Sequence, residues 1–238
     1  MPPLTGAPRI EAVLVDLDDT LFPQADWLAG AWQAVAGAAA GHGLCPRQFA
    51  AVLCEVALAG SDRGRIIDRA LAVIGRADVP VPPLVAAFRR YAPTSLRPYP
   101  GVPEALARLR ARCPLGLVTD GEPAVQRGKL AALGLAGAFD AIVFSDDLGR
   151  GCRKPHPAPF RAALTQLGVR PESAAYVGDR PDKDVTGAVA AGLRAVRVTT
   201  GEYAGQPGPG TAWFSTASFA AAADRLARHL PDECAVSA

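Results

Sequence analysis

The chain has 238 residues, half of them apolar and a fifth charged, and its formal net charge is +2 at pH 7. This composition is typical of a globular protein, and the small charge argues against nucleic acid or an anionic membrane as a partner. No stretch is long and apolar enough to span a bilayer. The first residues lack a signal-peptide pattern, and the five cysteines form no Cys-x-x-Cys pair. We therefore expect a cytoplasmic, reduced protein with no disulfide framework.

The apolar run at residues 10–15 predicts a buried strand of a parallel sheet. Asp16, Asp18 and Asp19, three carboxylates in four positions, follow it directly and precede Thr20. Open α/β sheets bind ligands at the carboxyl ends of their strands. Like charges crowded there cost free energy unless a cation compensates them or a proton is shared. The motif predicts a functional site, and the alternative is a polar turn with a helix-capping aspartate.

Residues 24–92 show only helical patterns, which begin with an amphipathic stripe through Trp27, Ala31 and Val35. Four successive helices are predicted, and they suggest a small helical bundle. Their approximate ranges are 24–40, 46–59, 64–75 and 82–91. A proline-rich return segment follows at residues 93–100.

From residue 102 onward, strands alternate with helices, which predicts right-handed βαβ units and a parallel sheet. Strands are predicted at 115–119, 141–144, 174–177 and 195–198, helices at 104–112, 123–133, 159–167, 182–191 and 217–229, and a loop at 205–210. The fold class is therefore α/β. We predict a Rossmann-like core of residues 1–21 and 99–238, with residues 22–98 as an inserted helical bundle.

Three further polar motifs follow predicted core strands. They are Thr119-Asp-Gly after the strand at 115, Arg153-Lys-Pro after the strand at 141, and Gly178-Asp with a later Asp184 after the strand at 174. Because the carboxyl ends of parallel strands meet at one edge of a sheet, we expect these motifs to converge with Asp16.

The four motifs together resemble the haloacid dehalogenase-like (HAD) hydrolase superfamily over nearly the whole chain. In that resemblance Asp16-x-Asp18-x-Thr20 is the first motif, Thr119 the second, Lys154 the third, and Asp179 with Asp184 the fourth. The inserted bundle is similar to the superfamily's helical (C1-type) cap, and the phosphatase branches are closest. The resemblance implies a Mg²⁺-dependent phosphomonoester hydrolase that acts on a small phosphorylated metabolite.

The chemistry implied by the resemblance divides hydrolysis of an inert phosphomonoester into two easier displacements. Asp16 would attack phosphorus and form an aspartyl phosphate, and Asp18 would protonate the leaving alcohol and then deprotonate water. Mg²⁺ would be held by Asp16, the backbone carbonyl of Asp18 and Asp179. Asp184 would act through water or a hydrogen bond, and Asp182 competes with it for this place.

For the phosphate itself, the resemblance assigns Thr119 and Lys154 to the phosphoryl oxygens, with Asp120 and Gly121 beside them. Asp120 stands where the family often has asparagine, so it adds negative charge near the phosphate. Lys154 is one of only three lysines in the chain, which favours a functional role. Lys129, on a predicted helix, is interpreted as a solvated side chain.

The break between two predicted cap helices carries Arg63 and Arg65. We expect these arginines to contact a polar leaving group when the cap closes. The alternative is that they are solvated or paired with Asp62 and Asp68.

Other members of the superfamily leave alternatives open. A haloacid dehalogenase needs no Mg²⁺, but it would leave the second acid of the first motif unexplained. A phosphomutase stays possible, whereas a phosphonoacetaldehyde hydrolase would need a cap lysine that residues 22–98 lack. A non-catalytic phospho-acceptor module of the receiver type fits poorly, because a bundle of roughly 75 residues interrupts the sheet after its first strand. The sequence identifies neither the substrate nor the oligomeric state.

Overall fold

The computed structural model describes residues 9–58, 60, 64–208 and 210–231. The described chain forms two compact units. One unit contains the residues up to Pro23 and from Arg97 onward, and the other is Gln24–Leu96. The predicted role of residues 22–98 as a cap stays a prediction.

A six-stranded parallel sheet forms the centre of the first unit, in the order β3-β2-β1-β4-β5-β6. Its strands are β1 (Ala12–Val15), β2 (Leu115–Thr119), β3 (Ala141–Phe144), β4 (Ala174–Gly178), β5 (Arg194–Val198) and β6 (Phe214–Thr216). The strand order changes direction between β1 and β4, which is where doubly wound sheets open a crevice for ligands.

The register of the central strands brings the predicted motifs to one edge. Val15 of β1 is paired with Leu117 of β2 and with Val177 of β4. Asp16 and the residues that end β2 and β4 therefore leave the sheet side by side. All four residues of β1 are fully buried, as its uninterrupted apolar sequence predicts.

Within its described residues, the second unit contains four α-helices, α1 (Gln24–Ala39), α2 (Pro46–Leu58), α3 (Ile66–Val73) and α4 (Val81–Arg90). Their apolar faces form one core, in which the ring of Phe88 lies 5.1 Å from that of Trp27 and 4.8 Å from that of Trp32. Helix α3 is shorter than predicted, because Gly64 and Arg65 both have left-handed backbone conformations that a helix does not continue through. The predicted end of α2 at residue 59 lies outside the described residues.

The described part of the first unit also contains five α-helices, α5 (Val102–Arg110), α6 (Pro123–Ala132), α7 (Ala158–Leu167), α8 (Thr186–Ala190) and α9 (Phe219–Leu226). A π-helical turn, Pro181–Val185, leads into α8. Helix α7 packs on β2 and β3, and its Phe160 ring lies 4.8 Å from the ring of Tyr176 in β4. Among the helices that the structure describes, none combines the length and the apolarity needed to cross a membrane.

The predicted α/β class and parallel sheet are confirmed. Strand β6 was not predicted, because it has only three residues and pairs on one side with β5 alone. It follows the predicted loop at 205–210, of which residue 209 lies outside the described residues.

Candidate active site

The turn after β1 is closed by backbone hydrogen bonds. Asp16 N–H donates to the Val177 carbonyl at 2.9 Å, and Asp19 N–H donates to the Phe22 carbonyl at 2.9 Å. Asp19 has a left-handed backbone, φ 57°, and its carboxylate accepts from the N–H of Glu202 at 3.1 Å. These contacts hold the turn tightly at the carboxyl edge of the sheet. Asp19 therefore helps to shape this turn.

Three buried acids meet at this edge. The carboxylates of Asp16, Asp179 and Asp184 offer oxygens that lie within 4.8 Å of one another. The π-helical turn brings Asp184 back over the end of β4, where its carboxylate accepts from the N–H of Arg180 at 2.9 Å. A β-carbon on Gly178 would lie 2.5 Å from Asp184, so glycine permits this approach.

Lys154 supplies positive charge inside this acid cluster. Its ammonium donates to Asp16, to Asp184 at 2.7 Å and to the Tyr176 hydroxyl at 3.0 Å. The Tyr176 hydroxyl in turn lies 3.2 Å from the Val118 carbonyl. Lys154 Nζ also lies 3.4 Å from the Val118 carbonyl. Its partners therefore belong to β1, β2 and β4 or to the segments that follow these strands, as the convergence of the motifs predicts.

The electrostatics of the cluster follow from burial. Burial raises the pKa of the Asp16 carboxyl to about 8; Lys154 opposes this rise, and Asp184 adds to it. Burial, together with Asp184 and Asp16, also holds the pKa of Asp179 well above its ordinary value. Burial alone would lower the pKa of Lys154, but Asp16 and Asp184 outweigh it and raise that pKa. One ammonium thus faces three acids, so a further cation would lower the repulsion among the carboxylates.

The donor set of the cluster fits a magnesium ion. Asp16, Asp179 and Asp184 offer only oxygen ligands, which a hard divalent cation prefers. A divalent charge would compensate the carboxylates that Lys154 does not neutralise. Asp182, the alternative to Asp184, lies outside the cluster: its side chain is 60% exposed and pairs with Arg180 at 2.8 Å.

Asp18 points to a different set of partners. Lys129 Nζ lies 2.8 and 3.0 Å from its two carboxylate oxygens, and Gln126 Nε2 donates to one of them at 2.9 Å. Gln126 Nε2 also donates to the Thr119 hydroxyl at 2.6 Å. The interpretation of Lys129 as a solvated side chain is wrong, because only 3% of the residue is exposed. Its helical spacing from Leu130 and Gln126, which are also buried, is the sequence signal that could have identified it.

Asp120 braces two segments near Lys154. Its carboxylate accepts from the Ser145 hydroxyl at 2.7 Å and from the backbone N–H of Lys154 at 3.0 Å. Gly121 follows with φ 123°, a conformation that favours glycine. The negative charge of Asp120 is thus used within the protein to fix the backbone that carries Lys154.

Of the two predicted cap arginines, Arg65 lies within the described residues. Arg65 is 82% exposed in its side chain and pairs with Asp68 at 3.3 Å, which fits the alternative interpretation of a surface ion pair. Arg63 and Asp62 lie outside the described residues.

Comparison with known proteins identifies the family of this chain. The sequence profile of the haloacid dehalogenase-like hydrolases matches residues 10–192. A glyceraldehyde 3-phosphate phosphatase from Methanopyrus kandleri is 41% identical over 204 residues, 82% of this chain and 86% of that protein. A phosphoserine phosphatase from Thermus thermophilus is 46% identical over 149 residues, 61% of this chain and 57% of that protein.

The fold also has a counterpart among solved structures. A solved structure of a HAD-superfamily hydrolase, subfamily IA, variant 1, from Geobacter sulfurreducens PCA aligns with a TM-score of 0.69. The alignment covers 93% of this chain and 99% of that one at 21% identity, a level that speaks for the fold alone. With its motifs in order and the family profile matched over residues 10–192, the chain belongs to the haloacid dehalogenase-like hydrolases.

Proposed function

We propose that the protein is a Mg²⁺-dependent phosphomonoester hydrolase that works through an aspartyl phosphate on Asp16. The observation that carries the proposal is the buried contact of one ammonium, Lys154, with both Asp16 and Asp184, beside Asp179. A phosphate dianion and carboxylates come together in such a reaction, and they need positive charge in a water-poor site. The two relatives named above, both phosphatases, support the same reaction class.

In the first step, a carboxylate oxygen of Asp16 attacks phosphorus, and the bond from phosphorus to the leaving oxygen breaks. Asp18 gives a proton to that oxygen, so the alcohol leaves neutral. Thr119 and Lys154 hold the phosphoryl oxygens in place. The fixed position of Lys154, which contacts the Tyr176 hydroxyl and Asp184, means that little reorganisation accompanies the transfer.

In the second step, water attacks the phosphorus of the aspartyl phosphate. Asp18 takes a proton from this water, the bond between phosphorus and Asp16 breaks, and inorganic phosphate leaves. Asp16 is then again a carboxylate, and Asp18 is again protonated. The same residue thus serves as acid and as base in turn.

Asp16, Asp179, the backbone carbonyl of Asp18 and, through water or a hydrogen bond, Asp184 would hold Mg²⁺. When bound, the ion would supply charge compensation for the carboxylates and the phosphoryl group. The all-oxygen donor set of the acid cluster supports this assignment.

For the substrate, we propose a small phosphorylated metabolite. Glyceraldehyde 3-phosphate and phosphoserine, which appear in the names of the two relatives, are both three-carbon phosphomonoesters. They are the first compounds to test on this chain.

The test is phosphate release by the purified protein from p-nitrophenyl phosphate and from a panel of small phosphorylated metabolites, with and without Mg²⁺. We expect turnover with Mg²⁺ and its loss in excess chelator. Undiminished turnover in chelator would contradict the metal assignment. A long-lived phosphorylated protein without turnover would instead indicate a phospho-acceptor switch, and transfer of phosphate within a substrate would indicate a phosphomutase.

A further inference from the structure

Helix α6 buries two polar side chains on the face that it turns inward. Gln126 and Lys129 are 2% and 3% exposed, and the apolar Leu130 lies next to them on the same face. A buried ammonium costs free energy unless an opposite charge and hydrogen bonds compensate it. Replacing a buried ion pair with apolar residues such as leucine or methionine is often neutral or stabilising. The polar groups on this face therefore suggest a role other than stability.

The partners of these two side chains belong to the site. Lys129 Nζ contacts both carboxylate oxygens of Asp18, at 2.8 and 3.0 Å, and Gln126 Nε2 lies 2.9 Å from one of the same oxygens. Gln126 Nε2 also donates to Thr119 Oγ1 at 2.6 Å. Because the Thr119 oxygen accepts here, its hydroxyl hydrogen is directed elsewhere. One helix face therefore fixes the side chains of both Asp18 and Thr119.

Two of the chain's three lysines thus each form an ion pair with a different acid of the first motif. Lys154 contacts Asp16 and Asp184, and Lys129 contacts Asp18. Asp18 is the partly accessible one of these carboxylates, with 18% of its side chain exposed, while Asp16 and Asp184 are buried. A free Asp18 side chain has several rotamers, and an ammonium that contacts both its oxygens selects one.

We propose that Lys129, assisted by Gln126, is a positioning residue that holds the Asp18 carboxylate against α6, at the place from which it serves the leaving group. The inference rests on the proposed function, since it assigns a supporting residue to the proposed acid–base step. Lys129 reaches the reaction only through Asp18. The competing explanation is that the pair between Lys129 and Asp18 merely ties α6 to the turn after β1.

These explanations differ in how the loss of Lys129 depends on the substrate. An alkyl phosphate has a poor leaving group that needs a proton, whereas p-nitrophenolate leaves readily without one. Misplacing Asp18 therefore slows transfer from alkyl phosphates selectively. A loss of fold or of metal affinity would slow both substrates alike.

The experiment compares Lys129→Met, Lys129→Arg and Gln126→Met with the wild type, in single-turnover phosphoryl transfer from an alkyl phosphate and from p-nitrophenyl phosphate at saturating Mg²⁺. For Lys129→Met we expect the alkyl rate to fall at least about tenfold more than the aryl rate. Lys129→Arg should recover part of this difference, and Gln126→Met should show a smaller difference of the same sign. Arg108→Met, which removes an exposed ion pair with Asp224, is the control and should change neither rate.

The double variant Lys129→Met/Asp18→Asn makes the assignment specific. If Lys129 acts through Asp18, its loss adds no further selective effect once Asp18 is neutral. Equal losses on both substrates, or a selective loss that persists in the Asp18→Asn background, would overturn the inference. If Lys129→Met does not fold, Lys129→Arg and Gln126→Met provide the same comparison.

The result for the Lys129 variants can be distinguished from the result of the test of the proposed function. Wild-type turnover of p-nitrophenyl phosphate that disappears in Asp16→Asn supports the proposed function whatever the Lys129 variants do. A wild type without any phosphoryl transfer would overturn both.

Discussion

Gly178 and Asp184 lie so close together that a side chain at position 178 would displace the acid. A β-carbon on Gly178 would come within 2.5 Å of the Asp184 carboxylate, at the point where β4 ends and the π-helical turn returns. The close approach at this place is therefore a contact between the backbone of Gly178 and the carboxylate of Asp184. It determines how far Asp184 can reach toward Asp16 and Lys154.

We predict that Gly178→Ala moves Asp184 out of the acid cluster and lowers the affinity for Mg²⁺ by about tenfold or more, an effect of the size seen when supporting groups of a metal site are lost. The Mg²⁺ concentration that gives half-maximal turnover measures this change. The rise in melting temperature on adding Mg²⁺ measures it independently of activity. Gly37→Ala, a helical position with open space around it, is the control and should leave both unchanged. An unaltered Mg²⁺ response in Gly178→Ala would contradict the prediction.

The second prediction concerns the stability of the metal-free protein. Folding raises the pKa of Asp16 to about 8 and that of Asp179 well above its ordinary value, chiefly through burial. The folded state thus binds these protons more tightly than the unfolded state does. Their contribution to stability is complete below the unfolded pKa of Asp, about 4, and is lost as pH rises toward 8. Carboxyl groups whose pKa is lowered in the folded state, such as Asp146, contribute stability that is lost as the pH falls. This loss occurs below the unfolded pKa of Asp, outside the range in which Asp16 and Asp179 lose their contribution.

In excess chelator, the melting temperature should therefore fall as the pH rises from 5 to 8. Asp179→Asn, which is neutral at every pH, should flatten this dependence, and saturating Mg²⁺ should flatten it in the wild type. A metal-free melting temperature that stays level or rises over the same range would show that the acid cluster does not control stability in this way.

The buried strand and its acids were predictable from the sequence because both signals are local. The four apolar residues of β1 and the carboxylates after them are adjacent in the chain. Because the carboxyl ends of parallel strands lie at one edge of the sheet, the sequence also predicts where these carboxylates lie. The convergence of Lys154 with Asp16 follows from that rule, without any knowledge of side-chain contacts.

Other features depend on partners far away in the sequence. Lys129 is buried because Asp18, 111 positions earlier, compensates its charge, so the helix alone does not distinguish it from a solvated lysine. Tyr176 looks like any apolar strand residue until its hydroxyl meets Lys154. Strand β6 is too short to carry an alternating or continuous pattern, and β5 determines its pairing.

The third prediction separates the two proposed roles in the first motif. Asp16→Asn should lower turnover of every substrate by about 10³-fold or more, because an amide is not a nucleophile toward phosphorus. Asp18→Asn should slow the first step for alkyl phosphates more than for p-nitrophenyl phosphate, because only the alkyl leaving group needs a proton. Rapid quenching with detection of the phosphorylated protein by mass spectrometry follows that step. Equal losses on the two substrates in Asp18→Asn would indicate a structural role for Asp18.

The last prediction concerns the brace behind the turn after β1. Gly201 has φ 68°, and a β-carbon there would overlap the carboxylate of Asp19, which itself has a left-handed backbone. The same carboxylate accepts from the N–H of Glu202, and the Thr200 hydroxyl donates to the Asp19 carbonyl. The segment after β5 thus supports the turn that carries Asp16.

Gly201→Ala should therefore lower the melting temperature and slow turnover of both alkyl and aryl phosphates, because it shifts the turn that carries Asp16. Asp19→Gly tolerates the left-handed backbone and removes the overlapping carboxylate, so the double variant should lose less stability than the sum of the two single losses. Gly205→Ala, in the same segment but with nothing near its β-carbon, is the matched control. Additive losses in denaturant unfolding would mean that the contact between Gly201 and Asp19 does not support the turn.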